Sequence, residues 1–138
     1  KCKNYTHQTR YQLPIPPSPN LPNMKSIYLY PSTCFFEATP VSLGRGTSLP
    51  FQVYGHPNMT GYNYSFTPRS IPGAKNPPQL NKLCHGVDLS NMSDEEIWKR
   101  GVDLTYVIDA YRNLNLDDHF FRPFFELLVG RDYVRKKC

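Results

Sequence analysis

The order of patterns along this chain predicts an α+β domain, a small mixed sheet with helices packed on one face behind a loop-rich amino-terminal half. Three observations carry that expectation. Short β-rich stretches alternate with turns over the first ninety residues. All but one of the 14 prolines lie ahead of residue 80. A capped amphipathic segment then opens at Ser93. The 138 residues suffice for one domain with a single core. Aromatics make up 14% of the chain, including 10 Tyr and 8 Phe, so the proline-rich front reads as ordered loop rather than disorder.

Residues 1–25 carry Pro14, Pro16, Pro17, Pro19 and Pro22, which fix φ and remove backbone donors, and they read as an extended connector to a domain over 26–138. Ser26–Tyr30 alternates in a β-rich composition and reads as a strand stopped by Pro31. A long loop over 31–50 leads to a second strand at Phe51–Tyr54, closed by Gly55. Weaker strands follow at Tyr64–Thr67 and Gly86–Leu89. At Ser93, three acidic residues fill the first turn, where the helix dipole favours negative charge. Ile97, Gly101, Leu104, Ile108 and Tyr111 then recur at spacings of four and three, which predicts one helix over 94–113 with that stripe in the core. Pro123 opens a further helix over 122–128 that ends at Gly130, and a third is expected over 132–137.

The net charge of +5 comes from scattered basic residues, densest at Arg131, Arg135, Lys136 and Lys137. No nucleic-acid motif accompanies them, so the cluster reads as a solvated helix end and no nucleic-acid partner is expected. Cys2, Cys34, Cys84 and Cys138 lack CxxC spacing, which argues against zinc. Cys34 and Cys84 can pair as a disulfide in an oxidising compartment or stay as buried thiols, and the sequence leaves both open. His7, His56, His85 and His119 show no ligand spacing. No metal or cofactor is expected, no apolar run is long enough to span a membrane, and no signal pattern opens at Lys1.

The densest chemistry lies between residues 31 and 51. Glu37 follows two phenylalanines, whose desolvation raises a carboxyl pKa. Arg45 stands between Gly44 and Gly46, which let backbone approach a ligand while the guanidinium forks onto a carboxylate. Two uses fit these residues equally: a binding loop, or a salt bridge from Glu37 to Arg45 that pins it. Tyr54, Tyr62 and Tyr64 can stack on sugar rings or pack in the core.

The strings Pro17–Pro22, Tyr28–Thr39, Val41–Phe51 and Phe66–Pro68, with Cys84–Val87 and Phe125–Gly130 further on, resemble in order the carboxy-terminal domain of the NamZ-like exo-β-N-acetylmuramidases. The resemblance covers most of the chain, and Ser42-Leu43-Gly44-Arg45-Gly46-Thr47 with Pro17-Ser18-Pro19-Asn20 is its most specific part. It departs at Glu37-Ala38-Thr39, where the family often has glycine in the middle. The resemblance implies a Rossmann-like catalytic domain upstream, a substrate cleft between the two domains, and release of N-acetylmuramic acid from the non-reducing end of bacterial peptidoglycan fragments. It implies a periplasmic or secreted location, and it places the main catalytic carboxylates upstream. Within this chain it implies Glu37 as an assisting carboxylate and Arg45 as a clamp on the lactyl carboxylate of muramic acid. Ser42, Thr47 and Thr39 would bond sugar hydroxyls, with Gly44 and Gly46 shaping the loop. On that reading the four Asn-x-Ser/Thr sequons, at Asn4, Asn58, Asn63 and Asn91, are coincidental. The competing readings are a non-catalytic glycan-binding module and a structural interaction domain. Neither requires an acidic Rossmann-like partner.

Overall fold

The computed structural model describes residues 3–6, 8–131 and 133. Its elements run α1 (Met24–Thr33), a 3₁₀ helix (Cys34–Ala38), β1 (Val53–His56), β2 (Tyr64–Phe66), β3 (Cys84–Asp88), α2 (Asp94–Arg100), α3 (Thr105–Leu114), a 3₁₀ turn (Asp117–His119) and α4 (Phe124–Val129). The class is α+β, and its three-stranded sheet, in the order β1-β3-β2, is antiparallel throughout.

The stretch Ser26–Tyr30 is helix, not strand. Asn23 Oδ1 accepts the Ser26 N–H at 2.9 Å and Ser26 Oγ donates to the Asn23 carbonyl at 2.7 Å, so the first turn satisfies donors that would otherwise be orphaned. The buried residues Ser26, Leu29, Ser32 and Thr33 then recur at helical spacing. Pro31 sits inside the helix, where it forfeits the bond to the Ile27 carbonyl but not the fold of the last turn. Ahead of α1, Arg10 lies over the Trp98 ring, 5.2 Å from its centroid, and pairs with Glu95, which ties the proline-rich stretch to α2.

β1 begins two residues later than its sequence suggests and runs through Gly55 instead of stopping there. Register sets Tyr54 opposite Val87 and Phe66 opposite Cys84. Because side chains alternate, each sheet face has its own cluster. Tyr54 and Val87 join the main core with Leu29, Phe36, Ile97, Val107 and Phe120, and the Phe36 and Tyr54 rings stack at 5.0 Å. Val53, Phe66 and Cys84 form a smaller cluster under Leu49 and Tyr64. The helices therefore cover one face, and the loop bearing Leu49 covers part of the other.

The single helix expected over 94–113 is two helices. Ser93 Oγ accepts the Glu96 N–H and caps α2, but Gly101 takes φ 62° and ends it. Ser32 of α1 holds the break, donating to the Gly101 carbonyl at 3.2 Å and accepting from the Asp103 N–H at 2.8 Å. The interruption shifts the helical phase. α3 buries Tyr106, Val107, Ala110 and Leu114, whereas Leu104 and Ile108 are 46% and 43% exposed. α4 starts after Pro123 and ends at Gly130, in left-handed conformation, close to expectation. The third expected helix, over 132–137, lies outside the described residues apart from Tyr133. Cys34 and Cys84 are both free thiols rather than a disulfide. Burial pushes the Cys84 thiol up to about 11.

Candidate functional site

Glu37 lies on the 3₁₀ helix that continues α1, and Arg45 on the loop leading to β1. Backbone hydrogen bonds of the intervening residues fix that loop. Ser42 and Gly55 exchange N–H···O bonds of 2.8 and 2.9 Å, adding a bridge along the outer edge of β1. Gly44 and Gly46 have φ of 70° and 83°, a region that costs other residues strain. A Cβ on Gly44 would come within 2.6 Å of the Leu49 carbonyl oxygen, and one on Gly46 would strike the Arg69 carbonyl. Both glycines are therefore required by the turn that presents Arg45.

The hydroxyls around this turn serve the loop itself. Thr39 Oγ1, fully buried, donates to the Phe36 carbonyl at 2.8 Å and accepts the Val41 N–H at 3.2 Å. Ser42 Oγ, also fully buried, accepts the Gly44 N–H at 3.4 Å. Thr47 Oγ1 donates to the Gly44 carbonyl at 2.6 Å and accepts the Leu49 N–H at 3.0 Å. Each closes a local turn that would otherwise leave a backbone group unsatisfied.

Arg45 differs from its neighbours. Its Nε is buried without a hydrogen-bond partner, and among the described residues the ion pairs within 4 Å are Arg10–Glu95, Arg100–Glu96 and Arg100–Asp103. The salt bridge to Glu37 that the sequence allows is not formed. Glu37 nonetheless lies within the field of Arg45. Burial raises its carboxyl above the ordinary range, and Arg45 offsets part of that rise. Tyr30 and Cys34 are raised first by burial and then by Glu37. Tyr30, Cys34, Glu37 and Arg45 thus form one electrostatic neighbourhood, beside a Tyr30–Phe51 ring contact of 5.2 Å. Sequence reasoning missed Tyr30 and Cys34, although with Glu37 they follow the helical spacings of four and three. The strand assigned to 26–30 hid that pattern.

A guanidinium with unused donors can clamp a carboxylate, and a partly desolvated carboxyl beside it holds its proton more tightly than an exposed one. One such carboxyl is half of the pair that glycoside hydrolysis uses. The three tyrosines also make contacts within the fold. Tyr54 and Tyr62 donate to Asp109 Oδ2 at 2.9 and 2.7 Å, and Tyr64 packs beside Phe66 in the smaller cluster.

Residues 28–138 match the family described as exo-β-N-acetylmuramidase NamZ, C-terminal. The chain is 34% identical over 136 residues to the peptidoglycan β-N-acetylmuramidase NamZ of Bacillus subtilis strain 168, covering 88% of this chain and 32% of that protein. It is also similar, at 85% identity and a TM-score of 0.91, to the crystal structure of a DUF1343 family protein from Bacteroides fragilis NCTC 9343. That match covers 97% of this chain and 38% of the Bacteroides chain. This chain therefore spans about a third of the length of such relatives. On the extent of these matches, the chain belongs to the carboxy-terminal domain family of the exo-β-N-acetylmuramidase NamZ.

Proposed function

We propose that this chain is the carboxy-terminal part of a bacterial peptidoglycan glycosidase that releases N-acetylmuramic acid from the non-reducing end of wall fragments, and that it forms one wall of the substrate cleft. The Bacillus relative is a peptidoglycan β-N-acetylmuramidase, and the observation that carries the reading here is the half-buried Arg45, whose Nε is buried without a hydrogen-bond partner. An arginine with no internal carboxylate within ion-pair distance suits one brought by a ligand. The lactyl carboxylate is what distinguishes muramic acid from glucosamine, so Arg45 is the specificity residue. Glu37 assists as a carboxyl of raised pKa. Thr39, Ser42 and Thr47 hold the loop's shape, as Gly44 and Gly46 do. The main catalytic carboxylates lie in an upstream Rossmann-like domain, and the substrate places the enzyme in the periplasm or outside the cell.

The full-length protein is expected to hydrolyse a chromogenic β-N-acetylmuraminide and to leave the corresponding N-acetylglucosaminide nearly untouched. The 138-residue chain alone is expected to hydrolyse neither. Turnover by the short chain, or equal turnover of both sugars by the long one, contradicts the proposal.

A further inference from the structure

α4 reads Phe124-Phe125-Glu126-Leu127-Leu128-Val129, apolar on nearly every side. A helix of that composition belongs inside a protein, yet only Phe125 is buried, and Leu127 is 76% exposed. Phe125 and Val129 line a groove of about 540 Å³ together with Phe35, Leu104, Ile108 and Tyr111. Leu104 and Ile108 are the α3 residues that the break at Gly101 turned out of the core. Arg112 is the one charged residue of the lining among the described residues. An apolar surface of this kind marks a docking site.

We infer that the groove between α3 and α4 seats the portion of the full-length polypeptide that precedes this domain. The inference rests on the proposed two-domain glycosidase. Two observations select that occupant. The matched relatives carry about two thirds of their length outside the matching region, which is by description their carboxy-terminal part. The groove is also tied to the Glu37–Arg45 site through one element, because the short 3₁₀ helix that sends Phe35 into the groove carries Glu37 two residues later. A body seated on Phe35, Ile108 and Val129 would stand beside Glu37 and could close a cleft over it. An acidic side chain of that body, placed at the rim, would meet Arg112.

Photo-crosslinking in the full-length protein tests this. p-Benzoylphenylalanine replaces Ile108 in one variant and Leu128 in another, both exposed positions, and crosslinked peptides are mapped by mass spectrometry after mixing isotope-labelled and unlabelled protein. Crosslinks within one molecule to residues preceding Lys1 are expected from both positions. Crosslinks between labelled and unlabelled molecules, to residues following Cys138, or to none, overturn the inference. Should either variant misfold, photo-leucine footprinting of the unsubstituted full-length protein replaces it. Label at Leu104 and Ile108 is expected to fall to the level of buried Leu29 and to stay there on dilution. Label equal to that of exposed Leu83, or protection lost on dilution, overturns it. Muraminidase activity is measured on the same preparations: an active enzyme with crosslinks elsewhere refutes this docking face alone, whereas the expected crosslinks in an inactive protein refute the glycosidase reading alone.

Discussion

The Tyr54 hydroxyl donates to Asp109 Oδ2 at 2.9 Å, linking β1 to α3. Tyr62 donates to the same oxygen at 2.7 Å, so this carboxylate keeps a partner when Tyr54 is altered. Tyr54→Phe is expected to cost about 1.5–3 kcal/mol, the range for a hydrogen bond to a charged acceptor, measured by denaturant unfolding. Burial, and then Asp109, push the Tyr54 phenol well above its ordinary value. The folded state then holds this proton more tightly than the unfolded one, so stability falls as pH rises past roughly 10. The alkaline loss should be shallower in Tyr54→Phe. An equally steep loss in both proteins would exclude Tyr54 as its source.

The turn glycines give a second expectation. Gly44→Ala combines an unfavourable φ of 70° with a Cβ 2.5 Å from Val53 Cγ2 and 2.6 Å from the Leu49 oxygen. A loss of at least about 2 kcal/mol should follow. Gly61→Ala shares a positive φ but meets open space, and should cost about 1–2 kcal/mol. Equal melting temperatures for the two variants would mean that the loop relaxes around the new methyl.

Exposure reverses what periodicity alone implies for Leu104. As a core residue it would lose about 2–5 kcal/mol on truncation to alanine. At 46% exposure, Leu104→Ala in the 138-residue chain should cost less than about 1 kcal/mol, and Phe120→Ala about 3–5 kcal/mol. A large Leu104 effect on thermal unfolding would contradict the break at Gly101.

That case shows where local pattern stops informing. The cap at Ser93, the strand at Tyr64 and the stop at Gly130 are written in residues that act on their immediate neighbours, and they are found where expected. The break at Gly101 depends on Ser32, sixty-nine residues away, and no window along the chain contains both. The segment Ser26–Tyr30 is too short to tell a period of two from one of 3.6, and its capping box uses Ser26 where the usual signal has Glu or Gln. At the site, Gly44, Arg45, Gly46 and Glu37 stand out by residue type. That the nearby hydroxyls would bond the loop's own backbone was not legible, because Ser and Thr suit turns and ligands alike.

Glu37 supplies a prediction on pH. Burial raises its folded pKa, so the folded state binds this proton more tightly, and the ionised group destabilises the fold once pH exceeds the unfolded carboxyl value. Glu37→Gln should therefore be more stable than the parent at neutral pH. The difference should shrink as pH falls through the ordinary carboxyl range, below which both states are protonated. A gap that instead widens with acidity would reverse the sign of the burial effect.

Recognition of the lactyl carboxylate by Arg45 is decided in the full-length enzyme with Arg45→Lys. Lysine keeps the charge and loses the bidentate fork. kcat/KM on a muramic-acid substrate should fall by about 1–3 kcal/mol of transition-state stabilisation, with little change on a glucosaminide or in melting temperature. An equal loss on both substrates, accompanied by a lower melting temperature, would make Arg45 a loop anchor and contradict the claim.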